Sequence, residues 1–447
     1  MDSSCSFNPV KKIEMMKKNI FVFGLNDPNK AQMANILNAD DYVFHSLLAW
    51  EEVVEAETYD FGQLLDKARR QLNDFEGSID GITTFWDFPS IELLALLCEE
   101  MNLPGPSAQA VVRCSHKYIS RTEQQKVIPE NIPGFQAVNP FDDAPLSKIE
   151  LNYPFFLKPV KSYASFLSYY VAGPENFFDA ITTIRENITR YGEPYNSFLS
   201  EAGIDAGGVD AFWCIAEELI GGKMCTVEGY SYNGEVSTFG LIDSHRFPGR
   251  TTFSRYQYPS TLPVAIRRRI DEITRKIIKY IGYDNGAFNI EFFYDKRTNR
   301  IWLLEINPRI SQSHSDLFFK VDGAPNQKVI IELATGHAPE LPHRQGDYKT
   351  AAKFYLREFR DGIVWQVPSR HTIQKIEDEF PGTIILPHVN AGDRLSDLHD
   401  QEPYSYRLGV VFMGAASQQQ LLDNFRSCKE LLGFSVRNIE KRNRSDC

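Results

Sequence analysis

The chain has 447 residues, 43% hydrophobic and 24% charged, with a formal net charge of −11. That length exceeds a single core and fits roughly three domains of ordinary globular composition, and the acidic balance without a basic stripe argues against nucleic acid as a partner. The seven cysteines form no C-x-x-C pair, and there is neither an apolar signal core nor a run of about 18 apolar residues, so the expected protein is cytoplasmic with reduced thiols and no membrane contact.

Residues 1–17 read as a disordered leader. Apolar runs at Asn19–Asn26, Tyr42–His45 and Ile79–Thr84 read as strands. Segments 29–38, 61–74 and Ser90–Met101 read as helices, the second with Leu64, Leu65, Ala68 and Leu72 on one stripe. Strands alternating with helices at this spacing predict a parallel α/β domain over 18–107. Gly24 alone makes no dinucleotide fingerprint, and Leu103-Pro104-Gly105-Pro106-Ser107 breaks the chain.

A helix over Ala108–Lys126 carries Arg113, His116, Lys117 and Arg121, basic residues that a helix ordinarily leaves in solvent. Tyr153–Val160 reads as an apolar strand with Lys158 near its end; a lysine there needs a counter-charge, either a phosphate oxygen or a structural Asp or Glu. A loop over 161–166 and a helix over 174–190 follow. Phe212–Ile220 is a strand closing in Glu217-Glu218-Leu219-Ile220 and running into Gly221-Gly222. It reads either as a carboxylate and backbone edge offered to a purine or as one arm of a plain hairpin with Cys225–Tyr230. Residues 262–281 read as a helix with a solvated basic face.

The two strands Ala287–Tyr294 and Ile301–Asn307, joined by the polar run Asp295–Arg300, form the most informative stretch. A hairpin folded about Thr298 sets Glu291 opposite Glu305 and Asn289 opposite Asn307, on one face. Facing carboxylates repel unless a cation lies between them, and Mg²⁺ suits a few carboxylates completed by substrate phosphates. Arg309 follows directly after Pro308, and the polar run 311–316 reads as a loop toward an acceptor substrate. The remainder, 341–436, reads as an α+β domain with a helix over 417–432, ahead of a tail at 437–447.

Taken in order, Lys117, Lys158-Pro159, Ser162–Ser165, Glu217–Ile220, Glu291 and Glu305-x-Asn307 resemble the ATP-grasp superfamily. Within it the chain looks like the carboxylate–amine ligases, L-amino-acid ligases among them, whose architecture is that of biotin carboxylase. The resemblance implies a pre-ATP-grasp α/β domain (18–107), an ATP-grasp domain (108–340) and a C-terminal α+β domain (341–436). It implies that Lys117, Lys158 and Ser165 hold ATP phosphates, and that Glu217, Glu218 and Ile220 receive adenine. Glu291, Glu305 and Asn307 would ligate two Mg²⁺ ions, replaceable by Mn²⁺, while Arg309 and Lys158 act in catalysis. The implied substrates are a small carboxylate and a small amine, amino acids among the options, and a homodimer is left open. The alternatives are a carboxylase-type enzyme and a nucleotide-binding regulatory protein without turnover. This sequence departs from the family pattern in three places: loop 161–167 has no glycine, Met224 stands where a ribose-binding acid is expected, with Glu228 as a substitute, and 311–316 replaces a second glycine-rich turn.

Overall fold

The computed structural model describes residues 17–36, 38–162, 166–398 and 405–438. Most of the expected leader, Ser165 of the phosphate loop and the end of the tail lie outside them. β1 (Lys18–Phe23), β2 (Tyr42–Leu47) and β3 (Gly81–Thr83) run parallel in the order β2-β1-β3, as the alternating pattern predicts. Helix Phe61–Asn73 starts where the Asp60 carboxylate accepts the Gln63 N–H, and it buries Leu65, Ala68 and Leu72 against the sheet layer.

The single helix expected over 108–126 is two helices, Ala108–Ser115 and Lys117–Val127, parted at His116. The buried His116 ring accounts for the break. Its Nδ1 accepts the Ile119 N–H, while its Nε2 donates to the Val209 carbonyl at 3.0 Å. Lys117 thereby becomes the first residue of the second helix, with its own N–H on the Val160 carbonyl.

β4 (Phe135–Val138), β5 (Phe155–Pro159), β6 (Tyr169–Val171) and β7 (Cys214–Glu218) make an antiparallel sheet in the order β4-β7-β5-β6. Helix Pro174–Asn187 covers it with Phe177, Ala180, Ile181 and Ile184. A second helix, Thr189–Glu201, follows directly where a single one ending near 190 was expected.

β8 (Lys223–Tyr232), β9 (Glu235–Arg246), β10 (Phe253–Tyr258), β11 (Gly286–Asp295), β12 (Arg300–Asn307), β13 (Thr350–Glu358), β15 (Ile384–Pro387) and β16 (Tyr406–Ala415) join in one sheet ordered β12-β11-β8-β9-β10-β13-β16-β15, while β14 (Gly362–Gln366) pairs with β17 (Ser435–Asn438). The expected boundary at 340/341 therefore falls within a continuous sheet. β7 and β8 belong to different sheets, so Leu219–Gly222 is a crossing between layers and not a hairpin turn. Gly222 has φ +129°, and a Cβ there would collide with the Tyr294 carbonyl, so this close approach requires glycine. No helix of the described residues is long and apolar enough to cross a membrane.

Candidate active site

The β11–β12 hairpin has the register its alternation predicts, with Asn289 opposite Asn307 and Glu291 opposite Glu305, and a bulge after Glu291. The turn is closed by Asp295, which accepts the Arg297 N–H at 2.9 Å and the Thr298 hydroxyl at 2.8 Å. Burial, reinforced by the facing Glu305 charge, pushes the Glu291 carboxyl up to about 7. Burial also works to raise Glu305, but Lys117 and Lys158 outweigh it and hold that carboxyl below its usual range. Among the described residues no group of three or more His, Cys, Asp or Glu side chains could hold a metal. Two glutamates and Asn307 are oxygen ligands that phosphate oxygens would have to complete, which is the donor set Mg²⁺ favours.

Both predicted lysines reach this cleft. Lys117 Nζ donates to the Ser162 carbonyl at 2.7 Å and lies 3.1 Å from Glu305 Oε1. Burial lowers its pKa, with the like charges of Lys158 and Lys161 adding to the effect. Lys158 Nζ is 2.6 Å from Glu217 Oε2, so of the two partners the sequence left open, the structure pairs it with a carboxylate. Arg121 corrects the expectation of a solvated basic residue. It is buried, with Nε 2.5 Å from Glu217 Oε1 and its Nη groups on the carbonyls of Leu303 and Leu304. Burial alone would raise Glu217; Arg121 and Lys158 overcome it and hold the carboxyl at about 2. An adenine contact at Glu217 would start from a carboxylate whose two oxygens are already engaged. Glu218 is exposed and accepts the Gly134 N–H at 2.9 Å, and Ile220 sits partly buried in the crossing.

Arg309, placed by the Asn307–Pro308 turn, projects to the N-terminal layer. Its Nε and Nη2 donate to the two carboxylate oxygens of Asp87 at 3.0 and 2.9 Å, a bidentate pair. Asp87 went unread in the sequence, although an acid inside Phe85-Trp86-Asp87-Phe88 just after β3 was a usable signal.

Residues 151–315 match the model of the ATP-grasp domain family. The chain carries an ATP-grasp domain. The match takes in Lys158, Glu217, Glu291, Glu305, Asn307 and Arg309, whereas Lys117 precedes it. Among curated proteins, the carbamoyl phosphate synthase large chain of Xylella fastidiosa is 35% identical over 102 residues, 23% of this chain and 9% of that protein. The chain thus spans only about a tenth of the length of such relatives. Among solved structures, an L-amino acid ligase from Bacillus licheniformis superposes with a TM-score of 0.69 at 16% identity, covering 95% of this chain and 100% of that one. The biotin carboxylase domain of Hydrogenobacter thermophilus 2-oxoglutarate carboxylase, solved with MgADP, ADP and bicarbonate, gives 0.60 at 16% identity, covering 95% and 91%. At such identities the likeness is one of fold.

The sequence offers Glu228 as a substitute for the ribose-binding acid. Glu228 lies on β8 directly opposite Asn289, on the same face of the sheet, and is fully buried. Its Oε1 accepts from Asn289 Nδ2 at 2.8 Å, the Ser311 N–H at 3.1 Å and His314 Nδ1 at 2.8 Å. Asn307 Nδ2 meets Asn289 Oδ1 at 3.4 Å, so Glu228 braces the strand that carries the candidate metal ligands. Met224 is buried too, touched by Arg246 Nη2 at 3.4 Å. The polar run 311–316 is not a loop, because helix Gln312–Asp322 begins within it and Ser313 accepts from Lys353 Nζ at 3.0 Å.

Proposed function

We propose that this chain is an ATP-dependent carboxylate–amine ligase working through an acyl phosphate. The observation that carries the reading is the Glu291–Glu305 pair, opposed across the hairpin, with burial and the facing Glu305 charge pushing Glu291 up to about 7 although Arg309 and Arg246 act against them. Lys117, Lys158 and Arg309 border the same carboxylates. When bound, Mg²⁺ would neutralise phosphate charge as the phosphoryl group moves, with Glu291, Glu305 and Asn307 as its protein ligands, for two ions in the full reading.

Lys117 and Lys158 exchange their glutamate partners for ATP phosphate oxygens, and the Glu217–Ile220 crossing receives the adenine. A substrate carboxylate oxygen attacks the γ-phosphorus, the bond to the bridging oxygen breaks, and ADP leaves. Arg309 stabilises the charge spread over the transferring phosphoryl group. The amine then attacks the acyl carbon; phosphate departs with the bonding electrons, and the ammonium proton passes to solvent. The likeness to the L-amino acid ligase over 95% of the chain supports small carboxylates and amines as substrates, amino acids first.

The test is turnover with ATP, Mg²⁺ and pooled amino acids. ADP and phosphate should appear only with both substrates present, and ¹⁸O from a labelled substrate carboxylate should enter the phosphate. Release of AMP and pyrophosphate would replace this reading with an adenylating one.

A further inference from the structure

Away from the nucleotide cleft, a cavity of about 290 Å³ opens between β9, the C-terminal end of helix Gln312–Asp322 and the segment 341–343. One water has a share of liquid volume of about 30 Å³, so this space is large enough for a small organic molecule. Phe239, Phe318, Ala324 and Leu341 supply apolar walls. The polar groups on its lining are less ordinary.

Asn326 is 0% exposed, and its Oδ1 has no hydrogen-bond partner among the described residues. Leaving a buried acceptor unmet costs about 1–3 kcal/mol. Asp322 is 6% exposed and, among the described residues, forms no ion pair with a lysine or arginine; it accepts the Arg344 N–H at 2.9 Å and a Tyr258 hydroxyl bond, with His343 Nδ1 at 3.7 Å. Three other buried carboxylates are matched by a lysine or arginine, Glu92 by Lys161, Glu217 by Arg121 and Lys158, and Asp243 by Lys223, whereas Asp322 shares with Glu228 a set of neutral and histidine partners. A burial of charge without such a match is expensive. The remaining polar wall group, the Thr238 hydroxyl, is spent on Asp271. Beyond the His343 imidazole, the cavity therefore lacks donors and a permanent positive charge.

The same asparagine is wired to the cleft. Its Nδ2 donates to the Ser311 carbonyl at 3.0 Å, and the Ser311 N–H donates to Glu228, which also holds Asn289 beside Asn307. The helix running from Gln312 to Asp322 joins the two ends a second time.

We infer that this cavity is an effector site for small primary amines with an apolar body, the ammonium seated on Asp322 and Asn326 Oδ1. Occupancy changes the set of Ser311, and with it nucleotide affinity, by the reciprocity that binding equilibria obey.

Calorimetry of the full-length chain with benzylamine, with benzyl alcohol as the uncharged control, tests it. Benzylamine should bind saturably in the millimolar range and benzyl alcohol at least tenfold more weakly. Asp322→Asn keeps the acceptor for the Arg344 N–H and removes the charge, so it should weaken benzylamine at least tenfold. Ala324→Phe should fill the space and abolish binding, with circular dichroism reporting the fold. MgADP affinity, measured with and without saturating benzylamine, should change severalfold in wild type and stay fixed in Ala324→Phe. Failure of benzylamine to bind, equal binding of the alcohol, or a folded Ala324→Phe that still binds overturns the site. Binding with unchanged MgADP affinity overturns the effector role. None of these results depends on whether the chain ligates amines, so failure here is distinguishable from failure of the ligase reading.

Discussion

Two acidic residues border the cleft, Glu217 and Glu291, and the chain treats them in opposite ways. At the end of β7, Glu217 is given two cations, Arg121 and Lys158, and its carboxyl falls to about 2. On the hairpin, Glu291 is set against another carboxylate and rises to about 7. Both sites are desolvated, so burial cannot explain the contrast; the counter-charge does. The first acid is neutralised by the fold itself and is fit to hold the crossing between sheets in place. The second faces a carboxylate that Arg309 and Arg246 offset only in part, a setting in which an added cation would be stabilised.

The comparison breaks most violently at Glu305. Glu305→Gln removes the charge of one of the two facing carboxylates while the buried strand core around Ile301, Leu303 and Ile306 stays. Turnover should fall by about a thousandfold or more, the rate equivalent of about 4 kcal/mol, with native circular dichroism. Wild-type ADP release at saturating Mg²⁺ would remove the hairpin from the catalytic reading.

The other pole is tested by Arg121→Met, which withdraws one cation from Glu217 and leaves its other contacts at Leu303 and Leu304 unmet. Denaturant unfolding should show a loss of about 3 kcal/mol, as for a buried pair broken on one side. A loss below about 0.5 kcal/mol would mean Lys158 alone neutralises Glu217. Lys158→Gln separates the two poles. If this lysine hands itself from Glu217 to phosphate, nucleotide affinity should drop by about tenfold or more, against a smaller stability loss than in Arg121→Met. Unchanged affinity with a large stability loss would leave it a structural partner of Glu217 only.

The hairpin was legible in the sequence because its evidence is local: period-two alternation, a polar turn and two short strands fix the register without help from elsewhere. Helix Ser90–Met101 was legible for the same reason, down to its ends. The opposite pole was not. Arg121 looked like any helical arginine, and only the meeting of its helix with β7 and β12, from 96 and 182 residues away, makes it a buried counter-ion. Asp87 and Arg309 are 222 positions apart, so their pairing depends on docking of the N-terminal layer. β9 and β10 escaped because their polar, aromatic-rich strands lack clean alternation. His116 was invisible as a helix break because the ring that caps Ile119 is held in place by a tertiary contact with Val209.

The smallest effect is the most direct measure of the contrast. Glu291 has a folded pKa of about 7 against an ordinary 4.5, so between those values the folded chain holds a proton that the unfolded chain has released. Linkage then gives the sign: stability from protonated Glu291 is fully present below pH 4.5 and is lost as pH rises through about 7. Subtracting the unfolding free energy of Glu291→Gln from that of wild type, nucleotide-free and across this range, isolates the contribution. The difference should fall by of order 1–2 kcal/mol with rising pH. Saturating MgADP should flatten it, because a cation at the hairpin favours the ionised carboxylate and returns its pKa toward the ordinary range. A flat difference without nucleotide would mean that Lys117 and its neighbours already neutralise both glutamates. In that case the two poles would be alike, and the hairpin would have no call for an added ion.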